Sequence, residues 1–161
     1  MADGATPEVF RLLAADVRPQ VDAEGLVFSL LSSAYPSDEW PDVTVMSEIT
    51  MATNGFANSG YVIVFQCGSP SQVDRGLWSF PLTLQVIGNS GLPVHSLMSD
   101  VFLRVCGWMF DPPVEQGSVS RVTGFEGFHR QHEANENGGK DIVEYVADLT
   151  VWCRDSLVFE A

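Results

Sequence analysis

The residues that could carry chemistry are few, and most stand at the wrong spacing. In "HRQHE" (129 to 133), His129 and His132 are three apart beside Glu133. On a helix that pattern would offer two imidazoles and a carboxylate to one zinc ion. The stretch reads as a strand end, however, where residues three apart point to opposite faces, so two solvated histidines at the mouth of a loop are expected. His95, in the first turn of a predicted helix and on its polar side, is equally bland. Cys67, Cys106 and Cys153 are an odd number at wide spacings, suggesting neither a disulfide framework nor a clustered metal site. Cys106 falls on the apolar stripe of that helix and Cys153 on the apolar face of a strand, where inert thiols are expected. "GFEGF" (124 to 128) lacks the GxGxxG and GxxxxGK[ST] patterns that cradle phosphate, so Gly124 and Gly127 read as a bulge or bend in a strand. No nucleophile elbow, HExxH or paired-carboxylate motif appears. The expectation is no catalytic residue, no metal and no cofactor, hence not an enzyme.

Charge narrows the partners. Twenty-one acidic residues face eight basic ones, a formal net charge of -13, and Lys140 is the only lysine. Such a chain lacks the basic footprint from which nucleic-acid binders draw most of their affinity. An acidic wall would still suit a channel through which a polyanion slides. The 161 residues are 45% hydrophobic and 18% charged, which fits one packed globular domain over 1 to 161. No apolar run approaches the ~20 residues of a membrane span, and "MADGATPE" lacks the regions of a signal peptide. A soluble protein made in a reducing cytoplasm is expected.

The elements that would position these residues follow from hydrophobic period. "TPEVFRLLAADV" (6 to 17) predicts a short N-terminal helix with Thr6 as N-cap and Pro7 in its first turn, stopped by Pro19. "LVFSLL" (26 to 31) and "VTVMSEI" (43 to 49) read as two strands flanking the exposed loop "SSAYPSDEWPD". "MATNGFANSG" (51 to 60) reads as a turn or loop before a buried strand at 61 to 66, and "CGSPSQVDRG" as a second loop. Alternation of Phe80, Leu82, Leu84 and Val86 against Thr83 and Gln85 predicts a strand over 77 to 87 with one buried side. From Pro93, apolar residues at 94, 97, 98, 101, 102, 105, 106, 109 and 110 form the stripe of a long helix over about 93 to 110, ended by "FDPPV". Strands at 118 to 129 and 141 to 153, joined by "EANENGGK", should pair antiparallel, the last burying Val143, Tyr145, Ala147, Leu149, Val151 and Cys153. The fold class is α+β: a single mostly antiparallel or mixed sheet with one long packed helix and a short N-terminal one.

Aromatic residues are the remaining candidates. Trp40 lies in a proline-flanked loop, and Trp108 and Trp152 fall off the assigned apolar faces; with Trp78 and with Phe56 of the 51–60 loop, they either wrap the core's edges or belong to a subunit or partner interface.

The order of these elements, the strand "SFPLTLQVIG", the helix "PVHSLMSDVFLRVCGWMF" and the closing "GFHRQHEANENGGKDIVEYVADLTVWCRD" resemble the tail terminator proteins of long-tailed, siphophage-type bacteriophages. The resemblance spans most of the chain and rests on element order, size and texture. It implies a structural virion protein at the head–tail junction, in which a homohexameric ring caps the tail tube, ends its elongation and offers a surface for head joining. The implied partners are further copies of the chain, the tail tube protein and a head-side connector or stopper, with viral DNA passing through the lumen without specific binding and no membrane. Loops at 32–42, 51–60, 68–76 and 131–140 would be the contacts to neighbouring rings. The alternatives are a connector, stopper or tail tube subunit, and, from another class, a monomeric ligand-binding α+β domain.

Overall fold

The computed structural model describes residues 19–48, 60–88, 91–131 and 142–156. The predicted helix at 6 to 17, the loop at 51 to 59 with Phe56, His132 and most of the 131–140 loop lie outside the described residues.

The architecture is α+β: one mixed sheet with a longer and a shorter helix packed on it. Strands β1 (Val43–Met46), β2 (Tyr61–Cys67), β4 (Leu77–Gly88), β7 (Val143–Asp155) and β5 (Gly117–Thr123) stand side by side in that order. β3 (Ser71–Asp74) pairs with β4, and β6 (His129–Arg130) pairs with β7 along the same side as β5. The long strands pair antiparallel over almost their whole length, from Leu77 opposite Arg154 to Gly88 opposite Val143. At the other edge, β1 runs parallel to β2.

Period two decides the faces of the central strands. Phe80, Leu82, Leu84 and Val86 of β4 are buried with Leu149, Val151 and Cys153 of β7 beneath the helices. The opposite face carries Thr83, Gln85, Glu144 and Asp148, cross-linked by hydrogen bonds from Thr83 Oγ1 to Asp148 (2.6 Å) and from Gln85 Nε2 to Glu144 (2.5 Å). In places this second face turns apolar, with Val62, Val64 and Ile87 buried near the β1 edge and Val146 buried on β7.

Residues 26 to 31 form no strand. They belong to helix α1 (Ala23–Ala34), started by Asp22, whose carboxylate accepts the Gly25 N–H at 2.9 Å. Leu26, Val27, Leu30 and Leu31 recur at helical spacing and are buried together, while Phe28 points out against Phe65. A six-residue apolar run has no period of its own to separate the two readings, and the cap and the sheet beneath choose the helix.

The "CGSPSQVDRG" stretch is also more than a loop, because Ser71–Asp74 folds back as β3 on the start of β4. The strand expected over 118 to 129 is broken where its glycines stand. Gly124 and Gly127 have φ of 71° and 118°, a region that disfavours side chains, and β5 ends just before them.

The long helix, α2 (Gly91–Cys106), buries Val94, Leu97, Val101 and Val105. It stops earlier than the stripe predicts. Gly107 N–H is shared between the carbonyls of Leu103 and Arg104, and Trp108–Phe110 continues as a 3-10 turn. The tighter turn advances each side chain by about 120° rather than 100°. Trp108, seven residues past Val101, stays on the buried line of the helix at 2% exposure, while Phe110 is 83% exposed. Cys106, expected inside, is exposed as well.

Candidate functional site

The candidate chemical groups remain apart. His129 is exposed on β6, and among the described residues no group of three or more His, Cys, Asp and Glu side chains could hold a metal ion. All three cysteines are free. Burial, reinforced by Glu24 and Asp22, pushes the Cys67 thiol up to about 12. Burial, with Asp155 behind it, does the same to Cys153. Burial also raises Cys106, though its side chain reaches solvent. At neutral pH all three are protonated, the poorly nucleophilic form.

The tryptophans divide. Trp78 and Trp108 are core residues of the chain itself, 6% and 2% exposed, which removes them as surface for a neighbour. Trp78 donates its indole N–H to the buried Asp155 at 3.3 Å. Trp40 and Trp152 remain half-buried at the surface.

Trp40 forms part of a groove. The turn after α1 is closed by the Trp40 N–H bonding Pro36 O at 2.8 Å, which lays the indole edge-on against the Tyr35 ring at 5.1 Å. Tyr35 is itself fastened from α2: its hydroxyl donates to Asp100 Oδ2 at 2.6 Å, and Arg104 donates to the same oxygen at 2.7 Å while its guanidinium lies 5.2 Å from the tyrosine ring. Beside this brace, Trp40, Tyr61, Pro93 and Leu97 wall a cavity of about 590 Å³ with Glu39 and Asp42 at its rim.

Trp152 lies on β7, beside the far edge strand β5, and on the opposite face. A bulge in β5 between Val119 and Arg121 turns the Arg121 side chain onto Trp152, guanidinium carbon 4.3 Å from the ring centroid, and the indole N–H donates to Thr123 at 3.0 Å. Arg154 extends from the same strand face two residues on. A third surface lies at the carboxyl end of α2, where Leu103 (69% exposed), Met109 and Phe110 face solvent.

Sequence reasoning missed the groove, because Tyr35 and Asp100 are 65 positions apart. The signal that could have located its helix-borne half is the Asp100–Arg104 pair at i, i+4. It also passed over Arg121, whose direction depends on the bulge.

No protein-family model matches the chain, and no curated protein matches it. Among the described residues, no helix is long and apolar enough to cross a membrane.

Proposed function

We propose that this chain is a structural assembly subunit that closes into a ring with copies of itself, and specifically the tail terminator of a long-tailed bacteriophage. The observation that carries the assembly reading is the apolar end of α2, where Leu103 and Phe110, 69% and 83% exposed, are the two most exposed large apolar side chains among the described residues. Large side chains left uncovered together mark contact surfaces more often than solvent-facing ones. The finer reading rests on the resemblance itself, carried by "SFPLTLQVIG" in β4, the long helix and the closing strand β7; ahead of them a helix, Ala23–Ala34, stands where the first of two strands was expected. The acidic balance of -13 supports a lumen wall along which DNA passes without being held.

In this role the hexameric ring seats on the end of the tail tube, stops its growth and leaves its other side for the head-side connector. Light scattering of the purified protein, followed by negative-stain imaging with and without tail tubes, tests this. Six-subunit rings, or rings at one end of the tubes, are the expected outcome; a protein that stays monomeric and ignores tubes overturns it. The groove of about 590 Å³ favours a second reading, a ligand-binding domain, since its size is that of small-molecule sites. That reading requires a monomer with a saturable small ligand.

A further inference from the structure

The sheet carries two unlike surfaces at opposite corners. At the β1 edge, on the helix side, is the groove walled by Trp40 and Tyr61 and rimmed by Glu39 and Asp42. Neither rim carboxylate forms an ion pair among the described residues. At the β5 edge, on the other face, are Arg121 and Arg154 around Trp152. Their strand neighbours on that face are Leu77, Ser79, Ser118, Thr123 and Thr150, and the first carboxylate along β7 is Asp148, already taken by Thr83. Neither arginine has a carboxylate partner among the described residues.

These surfaces cannot meet within one chain. They are separated by four strand spacings across the sheet, roughly 19 Å, and by the length of β4 from Leu77 to Gly88, roughly 36 Å. They also face opposite ways.

We propose that the Arg121–Arg154 corner of one copy seats in the Trp40–Tyr61 groove of the next. This inference rests on the ring reading and adds, beside the apolar end of α2, a second pair of surfaces that join its subunits. A guanidinium suits such a groove because its flat face stacks on indole or phenol while its forked N–H groups reach carboxylates at the rim. Charge selects the pairing: in a chain of net charge -13, most contacts between copies set acid against acid, whereas this one sets two arginines against two acids, none of them ion-paired among the described residues. Because the surfaces differ, the contact is head-to-tail. Each copy uses one surface and offers the other, so association propagates until rotation closes a ring.

Charge reversal of the full-length chain, read by sedimentation velocity, tests it. R121E/R154E has two acidic surfaces and E39R/D42R two basic ones, so each alone should associate at least tenfold more weakly than wild type. Mixed in equal amounts, each supplies what the other lacks, and assembly should return with the two variants alternating. Circular dichroism checks that both fold; if R121E/R154E does not, R121Q/R154Q carries the test and should weaken association in the same direction. A wild type that never assembles, with or without tail tubes, overturns the ring reading and this contact together. A wild type that assembles while the reversals change nothing, or whose variants fail to complement, overturns the contact alone. A thymidine 20-mer bound by wild type and lost by R121E/R154E, with assembly unchanged, would assign the arginines to nucleic acid and overturn it as well.

Discussion

Replacing Tyr35 with Phe removes one oxygen and nothing else. The ring, 4% exposed, keeps its place against Trp40 and the core, so the loss is the hydrogen bond to Asp100 at 2.6 Å. A hydrogen bond to a charged acceptor contributes about 1.5–3 kcal/mol. The Asp100 side chain is 32% exposed and keeps Arg104, so water can take the vacated position. The cost is then about 1–2 kcal/mol, a fall in Tm of about 2–8 °C for a chain of this size. Alkaline titration gives a second readout. Burial first, then the hydrogen bond and charge of Asp100, raises the phenol's pKa well above its ordinary value. The folded chain holds the proton that the unfolded chain begins to lose near pH 10, roughly the free tyrosine value. This stabilisation is complete below about pH 10 and is lost as pH rises through it toward the folded value. Wild type should therefore lose stability more steeply than Y35F above pH 10. Urea melts of wild type, Y35F, D100A and the double variant should show a coupling of about 1 kcal/mol. Additive effects within about 0.5 kcal/mol, with equal alkaline slopes, would refute the Tyr35–Asp100–Arg104 brace.

Other outcomes follow from single features. In the native state Cys106 should react quickly with an aromatic disulfide, the partly exposed Cys67 more slowly, and the buried Cys153 only as the chain unfolds; three equal rates would contradict this order of exposure. Gly117→Ala should cost at least about 1–3 kcal/mol in a denaturant melt, because φ is +140° and a Cβ would run into the Arg154 carbonyl across the β5–β7 ladder. Leu84→Ala, at a fully buried position in the middle of β4, should cost about 2–5 kcal/mol by the same measurement. L103S/F110S should leave the melting curve within about 0.5 kcal/mol of wild type, as surface changes do, yet abolish assembly in light scattering. Rings of unchanged mass would remove the apolar end of α2 as a contact.

Much of the fold was legible where a long segment repeats one period. The alternation of β4 and β7 and the stripe from Val94 to Val105 state which side chains go inward, because those patterns fit one geometry each. The glycines at 124 and 127 marked the break in the strand for an equally local reason, their access to positive φ. The candidate site was legible only in part. Trp40 and Trp152 stand at the surface, but Trp78 and Trp108 are core: Trp78 shares the inward alternation of Phe80 and Leu82, and Trp108 stands seven residues past Val101 on the buried line of the helix.

What the sequence determined by itself is therefore the α+β class, the faces of the central strands, the long helix and the acidic balance, all properties of neighbouring residues or of the whole composition. Tertiary structure decided the rest. It chose helix for 26 to 31 and set β1 parallel to β2. It also brought Tyr35 to Asp100 and placed the arginines and the acidic groove at opposite corners of the sheet. Each of these depends on contacts between residues far apart in the chain, whose free energy exceeds the small local preferences and which no short window of sequence contains.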